Sequence, residues 1–235
     1  FSAALMKKYR KARVIGLERA PAMIMKARKR TPWLRTLYGA VAEPEALPLP
    51  SASCDLIFSH FALPWCLDLD LVFAEFRRVL KPGGLLLFST LGPDTLIELR
   101  RSWATVDRYN HVNAFFDMHD IGDALMRARL AEPVMDVERL TLTYREVNGL
   151  MRDLKALGIG NITFGRPRGL MGKGQWRAMQ AAYEQFCYAD GLLPVSCEIV
   201  YGHAWGPIQD QSCPPELGEA VFPLAQLRRR DPESR

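Results

Sequence analysis

One stretch near the middle of the chain constrains the fold most, because it has the pattern of a strand, a helix and a second strand with clear boundaries. "CDLIFSHFAL" at 54–63 predicts a strand that runs into a loop. Residues 68–80 predict an amphipathic helix, which "KPGG" at 81–84 ends. "LLLFST" at 85–90 then predicts a strand that is buried on both faces.

The helix in this unit has one apolar face. Asp68 or Asp70 can cap its amino end through a side-chain carboxylate. The apolar face consists mainly of Leu71, Phe73, Ala74, Phe76, Val79 and Leu80. Such a helix covers one side of a sheet.

The beginning of the chain shows the same alternation of short strands and helices. The predicted elements are a helix at 1–10, a strand at 13–17, a helix at 21–30 begun by Pro21, and a short strand at 34–40. Residues 43–53 contain three prolines and predict a loop. This alternation predicts an α/β fold: a mostly parallel twisted sheet with helices on both faces.

The second half of the chain adds further elements. They are a helical and polar region at 93–131, strands at 134–143 and 195–205, helices at 146–157 and 175–188, and a loop at 158–169. We expect residues 207–235, which are polar and rich in proline, to be disordered or loosely packed.

In open sheets of this type, ligands bind beyond the carboxyl ends of the strands. That rule predicts that four segments line one edge of the sheet, which we call the rim: Glu18, the neighbourhood of Glu43, Ser59 to Phe61, and Thr90 to Gly92.

The chain is basic, with a net charge of +5 and a pI near 9.0. The positive charge is concentrated at 7–13, 26–30 and 228–230. Such clusters suit nucleic acid or an acidic protein, or they are simply solvated helix faces. Because no aromatic RNA motif or zinc finger accompanies them, we expect no nucleic-acid partner.

The five cysteines form no CxxC pair, and the four histidines lack metal-ligand spacing. We therefore expect no metal site, reduced thiols and a cytoplasmic location. No apolar run approaches the roughly 18 residues of a membrane span, so no membrane partner is expected.

The order of these elements, with "RVLKPGG" followed by "LLLFST", resembles the Rossmann-like S-adenosylmethionine-dependent methyltransferases. Four further segments resemble one family among them, the malonyl-acyl-carrier-protein O-methyltransferases of early biotin synthesis. These segments are "SHFALPWC" at 59–66, "LGPDTLIELRRSW" at 91–103, "NAFFDMHDIGDAL" at 113–125 and "MRDLKALGIGN" at 151–161. The resemblance extends to about residue 206. A mitochondrial complex I assembly factor that modifies an arginine shares some of these features.

The resemblance implies S-adenosylmethionine as cofactor and assigns roles by position. Glu18 would accept hydrogen bonds from the ribose hydroxyls, and Glu43 would accept one from the adenine amine. The complete set of implied cofactor residues is Glu18, Arg19, Ala20, Met23, Ala42, Glu43, Ser59, His60 and Phe61. The alternatives are that Glu18 caps a helix, that Glu43 is merely solvated and that His60 is a surface histidine.

The implied reaction needs no general base, because a malonyl carboxylate is ionised at neutral pH. We therefore expect no catalytic residue in the strict sense. A cation should recognise the carboxylate, and the candidates are Arg152, Arg166 and Arg168. Trp65 would wall the methyl pocket. Each of these side chains has a purely structural alternative.

The resemblance also implies a methyltransferase domain at 1–206 with a lid formed by about 91–131 and 144–180. The partner would be an acidic acyl carrier protein, whose malonyl-phosphopantetheine arm would need a slot under this lid. The basic clusters would steer the carrier to its mouth. The oligomeric state stays open.

Three hypotheses remain at this stage: the carrier-linked enzyme, a methyltransferase acting on another acid or on a protein arginine, and a non-catalytic relic. In the family pattern, the first strand and the glycine-rich cofactor loop would precede Phe1. From the sequence given, we expect the chain to lack them and to bind the cofactor poorly.

Overall fold

The computed structural model describes residues 1–31, 33, 35–158, 160–167, 169 and 171–208. The described helices are α1 (Ser2–Lys8), α2 (Pro21–Lys29), α3 (Leu69–Val79), α4 (Ile97–Ala104), α5 (Met118–Arg127), α6 (Val147–Ala156) and α7 (Lys173–Tyr183). The described strands are β1 (Ile15–Glu18), β2 (Tyr38–Val41), β3 (Cys54–His60), β4 (Leu80–Leu91), β5 (Ala131–Tyr144) and β6 (Leu193–Trp205). Single 3-10 turns at Leu63–Trp65 and Glu184–Phe186 complete the set.

The strands form two sheets. β1 and β2 pair in parallel, and the second sheet has the order β3-β4-β6-β5. β3 and β4 are parallel, while β6 is antiparallel to both of its neighbours. Three of the four strands in the larger sheet therefore run in one direction, which agrees with the predicted mostly parallel α/β fold.

The two predicted helix starts are explained by local chemistry. Pro21 occupies the first turn of α2, where its missing N–H costs nothing. The carboxylate of Asp68 accepts hydrogen bonds from the amides of Asp70 and Leu71, at 2.9 and 3.2 Å. Asp68, rather than Asp70, is therefore the cap of α3.

The predicted start of β4 at residue 85 is wrong, because the strand already begins at Leu80. Leu80 pairs with Cys54, and the Gly83 amide donates to the Gly206 carbonyl at 2.9 Å. Gly83 has a φ of +71°, a value that glycine adopts without strain. The "KPGG" stretch ends α3 as predicted and also continues the strand.

The hydrophobic residues form two cores. The first lies between the larger sheet and helices α3 and α5, and it includes Phe73, Phe88 and Leu125. The second lies between α4, α6 and α7, and it includes Trp103, Leu150 and Tyr183. β6 contributes to both, through Val200 and Ala204 to the first core and through Leu193 and Val195 to the second.

The division into two cores indicates which helices could form the lid that the sequence suggests. Helices α4, α6 and α7 share the second core, whereas α5 packs in the first core against α3 and the sheet. We use "lid" below for α4, α6 and α7 with the loops between them, as a proposal. The predicted tail lies outside the described residues from 209 onward.

Candidate active site

The side chain of Arg19 connects the chain segments that follow three of the strands. Its Nε lies 2.6 Å from Oε2 of Glu43, and its Nη1 donates to the Trp65 carbonyl at 3.2 Å. Arg19 follows β1, Glu43 follows β2, and Trp65 follows β3. The carboxyl ends of these strands therefore meet at one guanidinium, as the rule for parallel sheets predicts.

The carboxylate of Glu18 lies at the same end of the sheet. Its Oε1 accepts from the amides of Arg19 and Ala20, at 3.0 and 3.4 Å. Its Oε2 has no hydrogen-bond donor among the described residues. One oxygen thus holds the turn into α2, and the other is available to a ligand.

The remaining residues of this first group flank Glu18. Ala42 continues the parallel pairing, since its amide donates to the Glu18 carbonyl at 3.2 Å. Met23 lies in the first turn of α2 with 52% of its side-chain surface exposed. An exposed, flexible apolar side chain next to a carboxylate suits a ribose and an aromatic base.

His60 ends β3 and is fixed by β4. Its Nδ1 lies 2.6 Å from Oγ of Ser89, and its ring lies 4.3 Å from that of Phe61. Burial lowers the pKa of His60. His60 is therefore expected to be neutral at pH 7.

Ser59 and His60 do not act together, because alternate residues of a strand point to opposite faces. His60 and Ser89 line a cavity of about 470 Å³ on one face of the sheet, together with Phe1, Tyr201 and His203. Ser59 is buried on the other face, and its hydroxyl has no partner among the described residues.

The predicted substrate residues are spread over the structure. Arg152 forms an exposed ion pair with Glu146 at 3.3 Å, and Arg166 donates to the Ile162 carbonyl at 3.2 Å. Neither forms a hydrogen bond or an ion pair with a predicted cofactor residue in the described part of the chain. Trp65 is half-buried in the turn after β3, and Arg168 lies outside the described residues.

A second cavity, of about 390 Å³, lies within the lid. Its apolar wall comes from α4, α6 and the loop before α5: Leu96, Leu99, Val112, Phe115, Met151 and Leu154. Its polar lining includes His111, Asn113, Lys155 and Asn161. The cavity combines an apolar interior with a few polar groups, as ligand pockets do.

Two residues that the sequence reasoning missed organise this cavity. Asn113 is buried; its amide donates to the Gly160 carbonyl at 3.0 Å and accepts from the Ile162 amide at 2.8 Å. Arg100 donates to the carbonyls of Pro93 and Asn113, at 2.7 and 3.2 Å. Burial lowers the pKa of Arg100, although Asp94 partly offsets this. Arg100 and Asn113 lie in the segments at 91–103 and 113–125 that resemble the family. That resemblance is the feature of the sequence that could have identified them.

Cys66 lies beside the rim, and it is buried. Burial raises the pKa of its thiol to about 12, and Glu45 adds to the effect. Such a thiol stays protonated at neutral pH and is chemically inert.

No group of three or more His, Cys, Asp or Glu side chains in the described ranges could hold a metal ion. Within the same part of the chain, no helix is long and apolar enough to cross a membrane.

Comparison with known proteins agrees with this geometry. A family model described as a methyltransferase domain matches residues 1–88. The YcgJ protein of Bacillus subtilis has a similar fold, with a TM-score of 0.57 and 13% identity, over 87% of this chain and 86% of its own. Phosphoethanolamine N-methyltransferase 2 of Haemonchus contortus, solved with S-adenosyl-L-methionine, gives a TM-score of 0.50 at 18% identity, over 86% of this chain and 45% of its own. The fold is that of the Rossmann-like methyltransferases, as predicted.

Curated relatives show to which family of methyltransferases the chain belongs. The malonyl-[acyl-carrier protein] O-methyltransferase of Gallionella capsiferriformans is 50% identical over 209 residues, which are 86% of this chain and 72% of the relative. That of Laribacter hongkongensis is 51% identical over 216 residues, which are 88% of this chain and 72% of the relative. The chain belongs to the malonyl-[acyl-carrier protein] O-methyltransferase family, which confirms the resemblance read from the sequence.

Proposed function

We propose that the protein transfers a methyl group from S-adenosylmethionine to the free carboxylate of a malonyl thioester on acyl carrier protein. The product, a malonyl methyl ester, would start the synthesis of the pimeloyl chain of biotin. Identity of about one half to enzymes named for this reaction, over most of the chain, is the observation that carries the proposal.

The residues at the rim fit the cofactor. The unengaged Oε2 of Glu18 would accept from a ribose hydroxyl, and Met23 would cover the adenine. Arg19 would fix the position of Glu43, whose carboxylate would accept from the adenine amine. Ala20, Ala42, Ser59 and Phe61 complete the proposed cofactor residues by their place around these groups.

S-adenosylmethionine, when bound, supplies a methyl group that is already activated by a sulfonium charge. The malonyl carboxylate is ionised at neutral pH, so the protein has no proton to remove. Its task is to align the carboxylate with the methyl group and to exclude water. The neutral His60, held by Ser89, would help to shape this space without acting as a base.

The lid cavity is our candidate for the slot that receives the carrier's arm. Its apolar wall suits the methylene segments of phosphopantetheine, and the side-chain amides of Asn113 and Asn161 suit the arm's two amide groups. Leu96, which lines this cavity, comes four residues after the rim segment Thr90–Gly92, and its amide donates to the Ser196 carbonyl of β6 at 2.8 Å. Arg152, Arg166 and Arg168 remain proposals for the malonyl carboxylate, and Arg100 joins them. Trp65 remains the proposed wall of the methyl pocket.

The test is methyl transfer from S-adenosylmethionine with a labelled methyl group. The acceptors are malonyl-loaded carrier protein, the same carrier without malonate, and malonyl-coenzyme A. We expect label on the malonyl-loaded carrier as an ester that mild alkali removes. Alkali-resistant label on an added protein would instead favour arginine methylation, and calorimetry that detects no cofactor binding would favour a relic.

A further inference from the structure

The lid carries a basic and apolar surface, which we name the lid tip: Arg108, Tyr109, Lys155, Ile162, Phe164 and Arg166. All six side chains are exposed, and Phe164 and Tyr109 show 93% and 58% of their surface. Residues 154–183 contain five Lys and Arg and no Asp or Glu. Large exposed aromatic groups among cations are typical of a binding surface.

The backbone under the lid tip is held in place. The amide of Asn110 donates to the Gly165 carbonyl at 3.2 Å, and its side chain donates to the Phe164 carbonyl at 2.9 Å. Asn161 donates back to the Asn110 carbonyl. These bonds join the segment of Tyr109 to that of Phe164, so that the two exposed rings are presented together.

The cations of the lid tip have no ion-pair partner among the described residues. No carboxylate of the described residues lies within 4.0 Å of a charged nitrogen of Arg108, Lys155 or Arg166. Arg152, on the same helix as Lys155, differs because it pairs with Glu146. The lid tip therefore presents a positive potential to an approaching partner.

The lid tip is continuous with the lid cavity. Lys155 belongs to both, and Asn161, next to Ile162, lines the cavity. A protein bound at the lid tip would thus stand over the mouth of the cavity.

The other basic clusters are poorly placed for this purpose. α2 leads from the carboxyl end of β1 to the amino end of β2, and its last turn carries Lys26, Arg28 and Lys29. Arg13 lies 5.2 Å from the ring of Tyr38, the first residue of β2. The clusters at 7–13 and 26–30 therefore lie at the amino ends of the strands, away from the rim. The cluster at 228–230 lies outside the described residues.

We propose that the lid tip is the docking surface for the acyl carrier protein, an acidic partner whose arm then enters the lid cavity. This inference rests on the proposed function. Arg108 and Arg166 would pair with carboxylates of the carrier, and Phe164 would pack against an apolar patch between them. The proposed docking surface replaces the sequence-based expectation that the clusters at 7–13 and 26–30 guide the carrier.

The experiment measures binding of malonyl-loaded carrier protein to the full chain by calorimetry, in low and in moderate salt. The variants are Arg108→Glu, Arg166→Glu and Phe164→Ala. Lys26→Glu and Lys29→Glu, at the amino ends of the strands, are the charge-matched controls, and the exposed Met25→Ala is the control for Phe164→Ala. We expect each lid-tip variant to weaken binding about tenfold and each control less than about twofold. Salt should weaken the unmodified chain more than the two Glu variants.

A second readout separates docking from chemistry. Methylation of a short malonyl thioester of N-acetylcysteamine, which has no carrier, should be unchanged in Arg108→Glu and Phe164→Ala. Arg166→Glu is tested by carrier binding alone, because Arg166 is also a candidate to bind the malonyl carboxylate. Lid-tip variants that bind the carrier as the unmodified chain does, or controls that lose as much, would overturn the docking surface alone. An unmodified chain that binds no carrier and methylates neither thioester would overturn the proposed function as well.

Discussion

The guanidinium of Arg19 and the carboxylate of Glu43 lie 2.6 Å apart and join the end of β1 to the loop after β2. The same guanidinium also holds the Trp65 carbonyl. One exposed side chain thus fixes the relative position of three segments that come from different strands. Its contribution should be to the shape of the site, since an ion pair that is about half exposed adds about 0–1 kcal/mol to stability.

Replacing Arg19 by Gln should therefore separate affinity from stability. We expect binding of S-adenosylmethionine to weaken about tenfold, because Glu43 and Trp65 lose their common anchor. The melting temperature should change little. Calorimetry and thermal unfolding measure the two quantities, with Lys29→Gln as the control. A large loss of stability with unchanged affinity would contradict the assignment.

Replacing Glu18 by Gln tests the ribose contact. A hydrogen bond to a charged group contributes about 1.5–3 kcal/mol, so cofactor affinity should fall roughly ten- to hundredfold. Asp55→Asn is a matched control, because Asp55 lies near the amino end of β3 and is 83% exposed. Equal affinities for Glu18→Gln and the unmodified chain would show that Glu18 serves only the turn into α2.

The parts of the fold that the sequence predicted are those that local chemistry determines. The apolar spacing and the Asp68 cap gave α3, observed at Leu69–Val79, within the predicted 68–80. The start of β4 could not be predicted in this way, since Gly83 and Gly84 bond to Gly206, far away in the sequence.

In the candidate site too, the sequence predicts what local patterns determine and not the hydrogen bonds between distant segments. Glu18 and Glu43 could be proposed from the sequence because Glu18 ends one strand of a parallel pair and Glu43 follows the other. The bond from Arg100 to the Asn113 carbonyl and that from Asn113 to Gly160 join distant loops. Hydrogen bonds of this kind depend on the packed lid and have no periodic pattern in the sequence.

Replacing Asn113 by Ala should destabilise the lid. The change removes the hydrogen bonds to the Ile162 amide and the Gly160 carbonyl, which are partly buried, and two such bonds together contribute about 1–3 kcal/mol. Urea unfolding should report this loss. The exposed Asn148→Ala, on α6, should stay within about 0.5 kcal/mol of the unmodified chain. A loss for Asn113→Ala no larger than that of this control would show that water replaces both bonds.

Cysteine modification should distinguish Cys66 from Cys187. A pKa raised from 9.0 to about 12 leaves about a thousandfold less thiolate at pH 8, so Cys66 should resist iodoacetamide in the folded chain. Cys187, which is exposed, should react. Peptide mass spectrometry gives both extents in one sample, and denaturant should make them equal. Prompt labelling of Cys66 without denaturant would contradict its burial.

The passage of β6 through both hydrophobic cores has a consequence for how such enzymes diversify. Val200 and Ala204 pack in the first core, and Leu193 and Val195 pack in the second, so a single strand joins two separately packed units. On the proposed function, substitutions in α4, α6 and α7 would reshape what the lid admits without disturbing the packing beneath the rim. The range of acceptors, which depends on the lid, and the binding of the methyl donor, which depends on the rim, would therefore be able to change at different rates in evolution.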